Sequence, residues 1–181
     1  MRNTKTAYGA PAKILHWLLA ALLLGQSVLG LVFSDMPRGD DKSELLRLHA
    51  SFGLLILAFM LLRLGVRAAG ARVEPVEGTT AMLRKVAHCA HLALYLLIFL
   101  LIGAGIFTLL TVGWNVDFFG VTIIPTWFER DMDLHHLFEE IHVYSWYVLA
   151  GFVGLHIIGV IYHTFVLKDG TLARMGPSVD G

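Results

Sequence analysis

Four long apolar stretches constrain this chain most. They cover about residues 14–33, 48–66, 86–110 and 137–167, and each has the length of about 20 residues that crosses a hydrocarbon core of about 30 Å. The chain is 56% hydrophobic with a mean hydropathy of +0.69, more apolar than a soluble domain. Backbone groups inside a membrane need internal hydrogen bonds. We therefore predict an all-α fold, a four-helix transmembrane bundle that forms one domain over residues 1–181.

Basic residues are distributed unevenly between the two sides of these spans. The formal net charge is zero, but ten of the fourteen Lys and Arg residues lie before the first span, in or beside the link between the second and third, or after the fourth. Basic residues concentrate on the cytoplasmic side of such proteins, so we expect the N and C termini in the cytoplasm. The first stretch is long for the apolar region of a signal peptide, and we expect it to be a retained span.

The connections between the spans predict no second domain. Segments 34–44 and 68–80 contain Pro, Gly and charged residues, which is typical of short solvated connectors. Segment 112–136 mixes aromatic and acidic residues, and we expect it to cap the bundle at the periplasmic side. The single cysteine, Cys89, excludes an intramolecular disulfide. Membrane lipid is an expected partner, and nucleic acid is not.

Nine histidines in so apolar a chain are its most informative polar residues, because a polar side chain at membrane depth is costly without a partner. His142 and His156 lie fourteen residues apart in the fourth span. That spacing is about 21 Å and nearly four helical turns, so both rings share one face to within about 40°. Because successive spans alternate in direction, His49 lies at the depth of His142, and His16 lies at the depth of His156.

Two levels, each with one histidine from the fourth span and one from another span, suit two planar groups between helices. Haem is the planar group that uses paired imidazoles. A single zinc site would need its ligands within a few ångströms. Two imidazoles on one iron leave no open position, which favours electron transfer. For any one histidine, an interhelical hydrogen bond is the plainer explanation. Glycines near these spans would admit a macrocycle, although they also suit close helix contact: Gly30, Gly53, Gly103, Gly105, Gly151 and Gly154.

Four motifs resemble those of one known family. They are AKILHW at 12–17, HASFGLLILAFMLLRLGVR at 49–67, AHCAHLALY at 87–95 and GLHIIGVIYHTFVLKDGTLARM at 154–175. Together they touch all four spans and are similar to those of the bacterial dihaem cytochrome b561 family. The resemblance implies two haem b groups. It implies His16 and His156 as ligands of the cytoplasmic-side iron and His49 and His142 as ligands of the periplasmic-side iron.

The resemblance also implies a multi-pass membrane oxidoreductase in a bacterial inner membrane. The best characterised activity of the family is oxidation of superoxide at the periplasmic side, with electrons passing through the haems to ubiquinone. Segment 112–140 holds six acidic residues and Arg130 alone among Lys and Arg, which would attract a basic redox protein rather than superoxide. Ordinary solubility of an exposed loop explains the same charge. Three basic residues near His49 could form a positive approach instead: Arg38, Lys42 and Arg47.

Two alternatives remain open on the sequence alone. One is a haem b electron-transfer subunit of the hydrogenase or formate-dehydrogenase type, which takes electrons from a periplasmic redox protein or dehydrogenase and passes them to quinone. The other is a structural or transport bundle with incidental histidines. A spectrum decides the second alternative, because a protein without haem has no Soret band.

Other polar residues lie near the cytoplasmic-side level. They could contact a haem propionate or a quinone, or relay the protons that quinone reduction takes up, and they are His88, His91, His163, Arg63 and Arg67. Ordinary headgroup contacts explain the same positions, with histidines at helix ends and arginines on lipid phosphates. No role is assigned to His135 and His136, which lie in the predicted cap.

Overall fold

The structure, a computed structural model, describes residues 3–4, 7–71, 73–76, 78–127 and 129–176. Arg2, Lys5 and Arg72, which contribute to the predicted orientation, lie outside this part. The described chain contains four long helices, each long and apolar enough to cross a membrane, which confirms the predicted fold. They are α1 (Ala10–Ser34), α2 (Asp40–Ala69), α3 (Ala81–Thr111) and α4 (Met132–Ile161), and α4 continues into the π-helical segment Tyr162–Leu167.

Side-chain caps explain why α3 and α4 each begin five residues before the predicted apolar spans. The Asp131 carboxylate accepts hydrogen bonds from the N–H groups of Asp133 and Leu134, both at 3.0 Å. The Thr80 hydroxyl accepts from the Leu83 N–H at 3.3 Å. Such side chains satisfy donors that a first helical turn leaves free. The first turns of these helices are polar, so they lie outside the predicted apolar stretches.

A small hairpin caps one end of the bundle. Strands β1 (Val116–Phe118) and β2 (Val121–Ile124) pair antiparallel across a two-residue turn. The turn residues Phe119 and Gly120 have φ of 47° and 89°, the pattern that matches the twist of paired strands. Val116 is buried against Leu109 and Leu110 of α3. We call this the hairpin end, and we call the other end, where both termini of the described chain lie, the terminal end.

The helices form two close pairs with a wider gap between them. α1 contacts α2 directly, and α3 contacts α4 directly. Within the described residues, no Cα of α4 lies within 8 Å of a Cα of α1 or α2, although helices in direct contact have axes about 8–10 Å apart. Side chains bridge this gap, which we call the α4 gap. The Trp146 Nε1–H of α4, for example, donates to Ser27 Oγ of α1 at 3.0 Å.

A buried apolar cluster lies halfway along the bundle. It draws on all four helices and consists of Leu19, Ile56, Met60, Ile98 and Leu149. Because lipid is as apolar as these side chains, close van der Waals contact stabilises the cluster rather than a hydrophobic effect. Leu149 lies seven residues from both His142 and His156. The cluster therefore separates the two histidine levels.

Replacing Ser51 by Ala is expected to loosen the hairpin. The buried Ser51 hydroxyl lies 3.2 Å from the Asp117 carbonyl oxygen and accepts from the Phe119 N–H at 3.0 Å. A typical hydrogen bond contributes about 1 kcal/mol. Ser43→Ala is the matched control, because its hydroxyl bonds Gly39 O near the start of the same helix. Amide hydrogen exchange should become faster over residues 116–124 in Ser51→Ala only, and equal exchange in both variants would contradict this role.

Candidate functional site

Two pairs of histidine rings face each other across the α4 gap. The ring centroids of His49 and His142 are 6.1 Å apart at the hairpin end, with planes at 71°. Those of His16 and His156 are 6.3 Å apart at the terminal end, with planes at 76°. A transition metal binds imidazole nitrogen at about 2.0 Å, so two rings on opposite sides of one ion have centroids about 6 Å apart. Both pairs therefore have the spacing of two axial ligands.

His142 is oriented by the backbone of α3. Its Nδ1 lies 2.8 Å from the Leu101 carbonyl oxygen, and since a carbonyl only accepts, Nδ1 carries the proton. Nε2 is then left with its lone pair free for a metal, which is the usual arrangement around a metal-bound histidine. Gly105, one turn further along α3, makes room for the ring. A Cβ there would lie 2.9 Å from His142 Nδ1 and 3.0 Å from Cε1.

His49 differs, because its Nδ1 is buried and has no hydrogen-bond partner within the described chain. The ring lies edge-on to Phe33, with centroids 5.1 Å apart. A Cβ on Gly30 of α1 would come 3.3 Å from His49 Cε1. Leaving a buried polar atom unpaired is costly, so an interhelical hydrogen bond from Nδ1 does not explain this histidine. The ring fits a ligand in the α4 gap.

A third histidine joins the pair at the terminal end. The His91 ring centroid lies 5.4 Å from that of His156, with the planes at 69°. His16 is also edge-on to Trp17, at 5.3 Å. His88, one turn before His91 on α3, is exposed. The structure therefore brings His91 beside the predicted ligand pair, as a neighbour of His156.

The two arginines near this level hold the helix ends together. Arg63 Nε donates to Tyr95 Oη at 3.0 Å, and its Nη1 donates to the Ala12 carbonyl oxygen at 3.0 Å. The Arg67 guanidinium lies 5.8 Å from the centroid of the Tyr95 ring. Arg63 thus links α1, α2 and α3. An arginine has five N–H donors, so these contacts leave donors for a propionate or a lipid phosphate.

His163 lies at the terminal end and contacts Asp169. Its Nδ1 is 2.5 Å from Asp169 Oδ2, and Thr171 donates to Asp169 Oδ1 from its hydroxyl at 2.6 Å and its N–H at 3.0 Å. Lys168 has φ of 50°, which turns the chain back toward His163. Burial raises the pKa of Asp169, but the hydrogen bonds from Thr171 and His163 outweigh it and lower the pKa to about 2. The carboxylate is therefore ionised around neutral pH.

Two basic residues of the hairpin end, Lys42 and Arg47, contact different parts of the chain. Lys42 Nζ donates to the carbonyl oxygens of Ser34 and Met36, at 3.2 and 3.0 Å. The Arg47 guanidinium lies 5.9 Å from the centroid of a Trp114 ring and lines a cavity of about 210 Å³ under the hairpin. Arg47 precedes His49 by two residues, about 200° around the helix. It faces the hairpin rather than the α4 gap.

Sequence reasoning missed several partners of these histidines. The Leu101 carbonyl has no sequence signal, because every residue has a carbonyl. Asp169 and Thr171 belong to the motif KDGT that follows His163, and a carboxylate just after a helix-end histidine is a usable signal. Gly30 and Gly105 were expected near a macrocycle, and both lie against a histidine of the hairpin end.

Comparison with known proteins finds relatives along nearly the whole chain. The sequence model of the family described as prokaryotic cytochrome b561 matches residues 7–178. Cytochrome b561 homolog 2 of Escherichia coli K12 is 29% identical over 175 residues, 96% of this chain and 93% of that protein. Probable superoxide oxidase CybB of Yersinia pestis is 31% identical over 167 residues, 92% of this chain and 94% of that protein. Cytochrome b561 homolog 1 of Escherichia coli K12 is 24% identical over 165 residues, 90% and 93% of the two chains.

Gly105→Ala is expected to lower the haem content of the purified protein, because the new Cβ displaces His142 from its bond with Leu101. Gly103→Ala is the control, since a Cβ there meets nothing within 4 Å and an Ala in a helix interior is otherwise favourable by about 1 kcal/mol. A haemochrome assay and the reduced spectrum measure the effect. Equal haem content in the two variants would show that Gly105 does not position the ring.

Proposed function

This chain belongs to the prokaryotic cytochrome b561 family, and from that premise we propose that it conducts electrons between two haem b groups held at its two histidine levels. Members of the family are haem b electron-transfer proteins, and this chain is a multi-pass inner-membrane oxidoreductase of that kind. The observation that carries the two-haem proposal is the spacing of the facing rings, 6.1 and 6.3 Å. We assign His49 and His142 to one iron and His16 and His156 to the other.

The protein contributes ligation, orientation and a dry interior. Haem b bound at each level supplies reversible one-electron transfer at its iron. Two imidazoles would hold each haem iron, His49 with His142 and His16 with His156, and this would leave no position open for oxygen. The Leu101 carbonyl fixes the tautomer of His142 and increases the basicity of its Nε2. The apolar cluster around Leu149 keeps water out between the levels.

We place quinone reduction at the terminal end. Reducing ubiquinone to ubiquinol consumes two electrons and two protons, and His91, His163 and Asp169 lie at this end. Asp169 holds the Nδ1 proton of His163, which leaves Nε2 to take up a proton and pass it on. The guanidinium groups of Arg63 and Arg67 lie close enough to the His16 level to pair with propionates. On the predicted orientation this end faces the cytoplasm.

Superoxide is the electron donor that we propose at the hairpin end. Each superoxide ion gives up one electron and leaves as oxygen. Support comes from the Yersinia pestis relative, which is named a probable superoxide oxidase and is 31% identical across nearly the whole chain. A basic periplasmic redox protein or dehydrogenase is the second candidate. Exposed carboxylates at the start of α4 favour it, because they would attract such a partner and repel an anion: Asp133, Glu139 and Glu140.

Ligand substitutions test the two haem assignments. We expect His142→Ala and His49→Ala each to remove the same half of the haem, and His156→Ala and His16→Ala to remove the other half. Haemochrome assay and the reduced α-band measure which half remains. The double variant His49→Ala/His142→Ala should lose no more haem than either single variant. A double variant that loses all haem while circular dichroism still shows a folded protein would refute independent sites at two levels.

Stopped-flow absorbance tests the donor. Oxidised protein mixed with superoxide should show fast haem reduction, and a ubiquinone analogue in a second run should restore the oxidised spectrum. His142→Ala, which lacks the haem nearest the hairpin, should be reduced far more slowly. If wild-type haem stays oxidised with superoxide but is reduced by a small basic cytochrome, at a rate that falls as salt rises, the second candidate is correct.

A further inference from the structure

A group of metal-ligating side chains lies outside the proposed electron route. His135, His136 and Glu139 occupy one turn of α4 at the hairpin end, and one ligand atom from each lies within 4.8 Å of the others. Glu139 Oε2 is 3.9 Å from His135 Nε2 and 3.7 Å from His136 Nδ1. No role was predicted for either histidine from the sequence.

His135 is held in the orientation of a metal ligand. Its Nδ1 lies 3.0 Å from the Thr108 carbonyl oxygen of α3, so Nδ1 carries the proton and donates it. The lone pair of Nε2 then faces Glu139. Its side chain is 18% exposed, whereas the side chains of His136 and Glu139 are 64% and 55% exposed. One ligand is therefore fixed, and the other two are open to solvent.

We propose that His135, His136 and Glu139 form a binding site for a divalent transition-metal ion of the zinc class. Two imidazoles and one carboxylate suit Zn²⁺, whereas Mg²⁺ and Ca²⁺ prefer oxygen ligands alone. Tetrahedral ligand atoms at 2.0–2.1 Å from zinc are about 3.3 Å apart. Glu139 Oε2, at 3.9 and 3.7 Å from the two ring nitrogens, would have to move closer to each by about 0.4–0.6 Å, and the side chains of Glu139 and His136 are the exposed ones. Water completes the fourth position.

The surrounding charge favours a cation. The positive end of the α4 dipole opposes it, but three further carboxylates at the same end of the helix offset that effect: Asp131, Asp133 and Glu140. The ion would also neutralise part of the acidic face that repels superoxide. Glu139 lies three residues before His142, so the two are neighbours on the helix surface.

Isothermal titration of the purified haem-loaded protein with Zn²⁺ in chelator-free detergent tests the site. Wild-type protein should bind one zinc, and His136→Ala and Glu139→Gln should each weaken binding by about tenfold or more. Glu140→Gln is the matched control, because it removes the same charge from the next residue of the helix. His135→Ala also removes the hydrogen bond to the Thr108 carbonyl oxygen, so the test relies on the variants of the two exposed residues, His136 and Glu139. Excess Mg²⁺ should not displace the zinc.

The outcomes distinguish a specific zinc site from nonspecific attraction of a cation to an acidic surface. Equal weakening in Glu140→Gln and Glu139→Gln, or binding unchanged in His136→Ala, would overturn the proposal. A second readout rests on the proposed function: bound Zn²⁺ should shift the midpoint potential of the haem at His142 in the positive direction, and not in Glu139→Gln. If calorimetry detects zinc binding but a redox titration shows no haem with a midpoint potential, the electron-transfer proposal fails and the metal site stands.

Discussion

An imidazole inside a hydrocarbon core has to find a partner, and this requirement shapes the whole bundle. α4 carries a histidine at each of two depths, and each ring faces a histidine ring from α1 or α2. Direct contact between α4 and that helix pair would leave no space between the rings. Three features fit a flat group held between helices. They are the α4 gap, the glycines against the rings and the hydrogen bond from Trp146 to Ser27 that bridges the gap.

The two ends of the bundle are built from different chemistry. At the hairpin end, Phe33, Gly30 and Gly105 lie against the rings of His49 and His142, and Glu139 lies one turn before His142 on α4. At the terminal end, His16 and His156 have His91, Arg63 and the His163–Asp169 contact nearby. Exchange of an electron alone needs no proton donor, whereas quinone chemistry does. The His163–Asp169 contact therefore suits the quinone half-reaction, which we assign to the terminal end.

Helical periodicity made the histidine levels predictable, because fourteen residues bring a helix back to nearly the same face. Other features depend on contacts that no pattern encodes. The hairpin strands span three and four residues, and the turn places Phe119 at positive φ, where Asn or Gly is the usual signal. The left-handed backbone of Lys168, which brings Asp169 to His163, has no sequence signal either. Arg47 could have been excluded from the α4 gap, since its spacing from His49 already places it on the far side of α2.

The fourteen-residue spacing along α4 also has an electrical consequence. It separates the two levels by about 21 Å, roughly two thirds of a hydrocarbon core of about 30 Å. Moving one elementary charge across the whole membrane changes its electrostatic energy by about 2.3 kcal/mol per 100 mV of membrane potential. On the proposed route each electron moves inward against an inside-negative voltage and does about 1.5 kcal/mol of work per 100 mV. Part of the energy released by the donor would be conserved as charge separation, and an energised membrane would restrain the same flow.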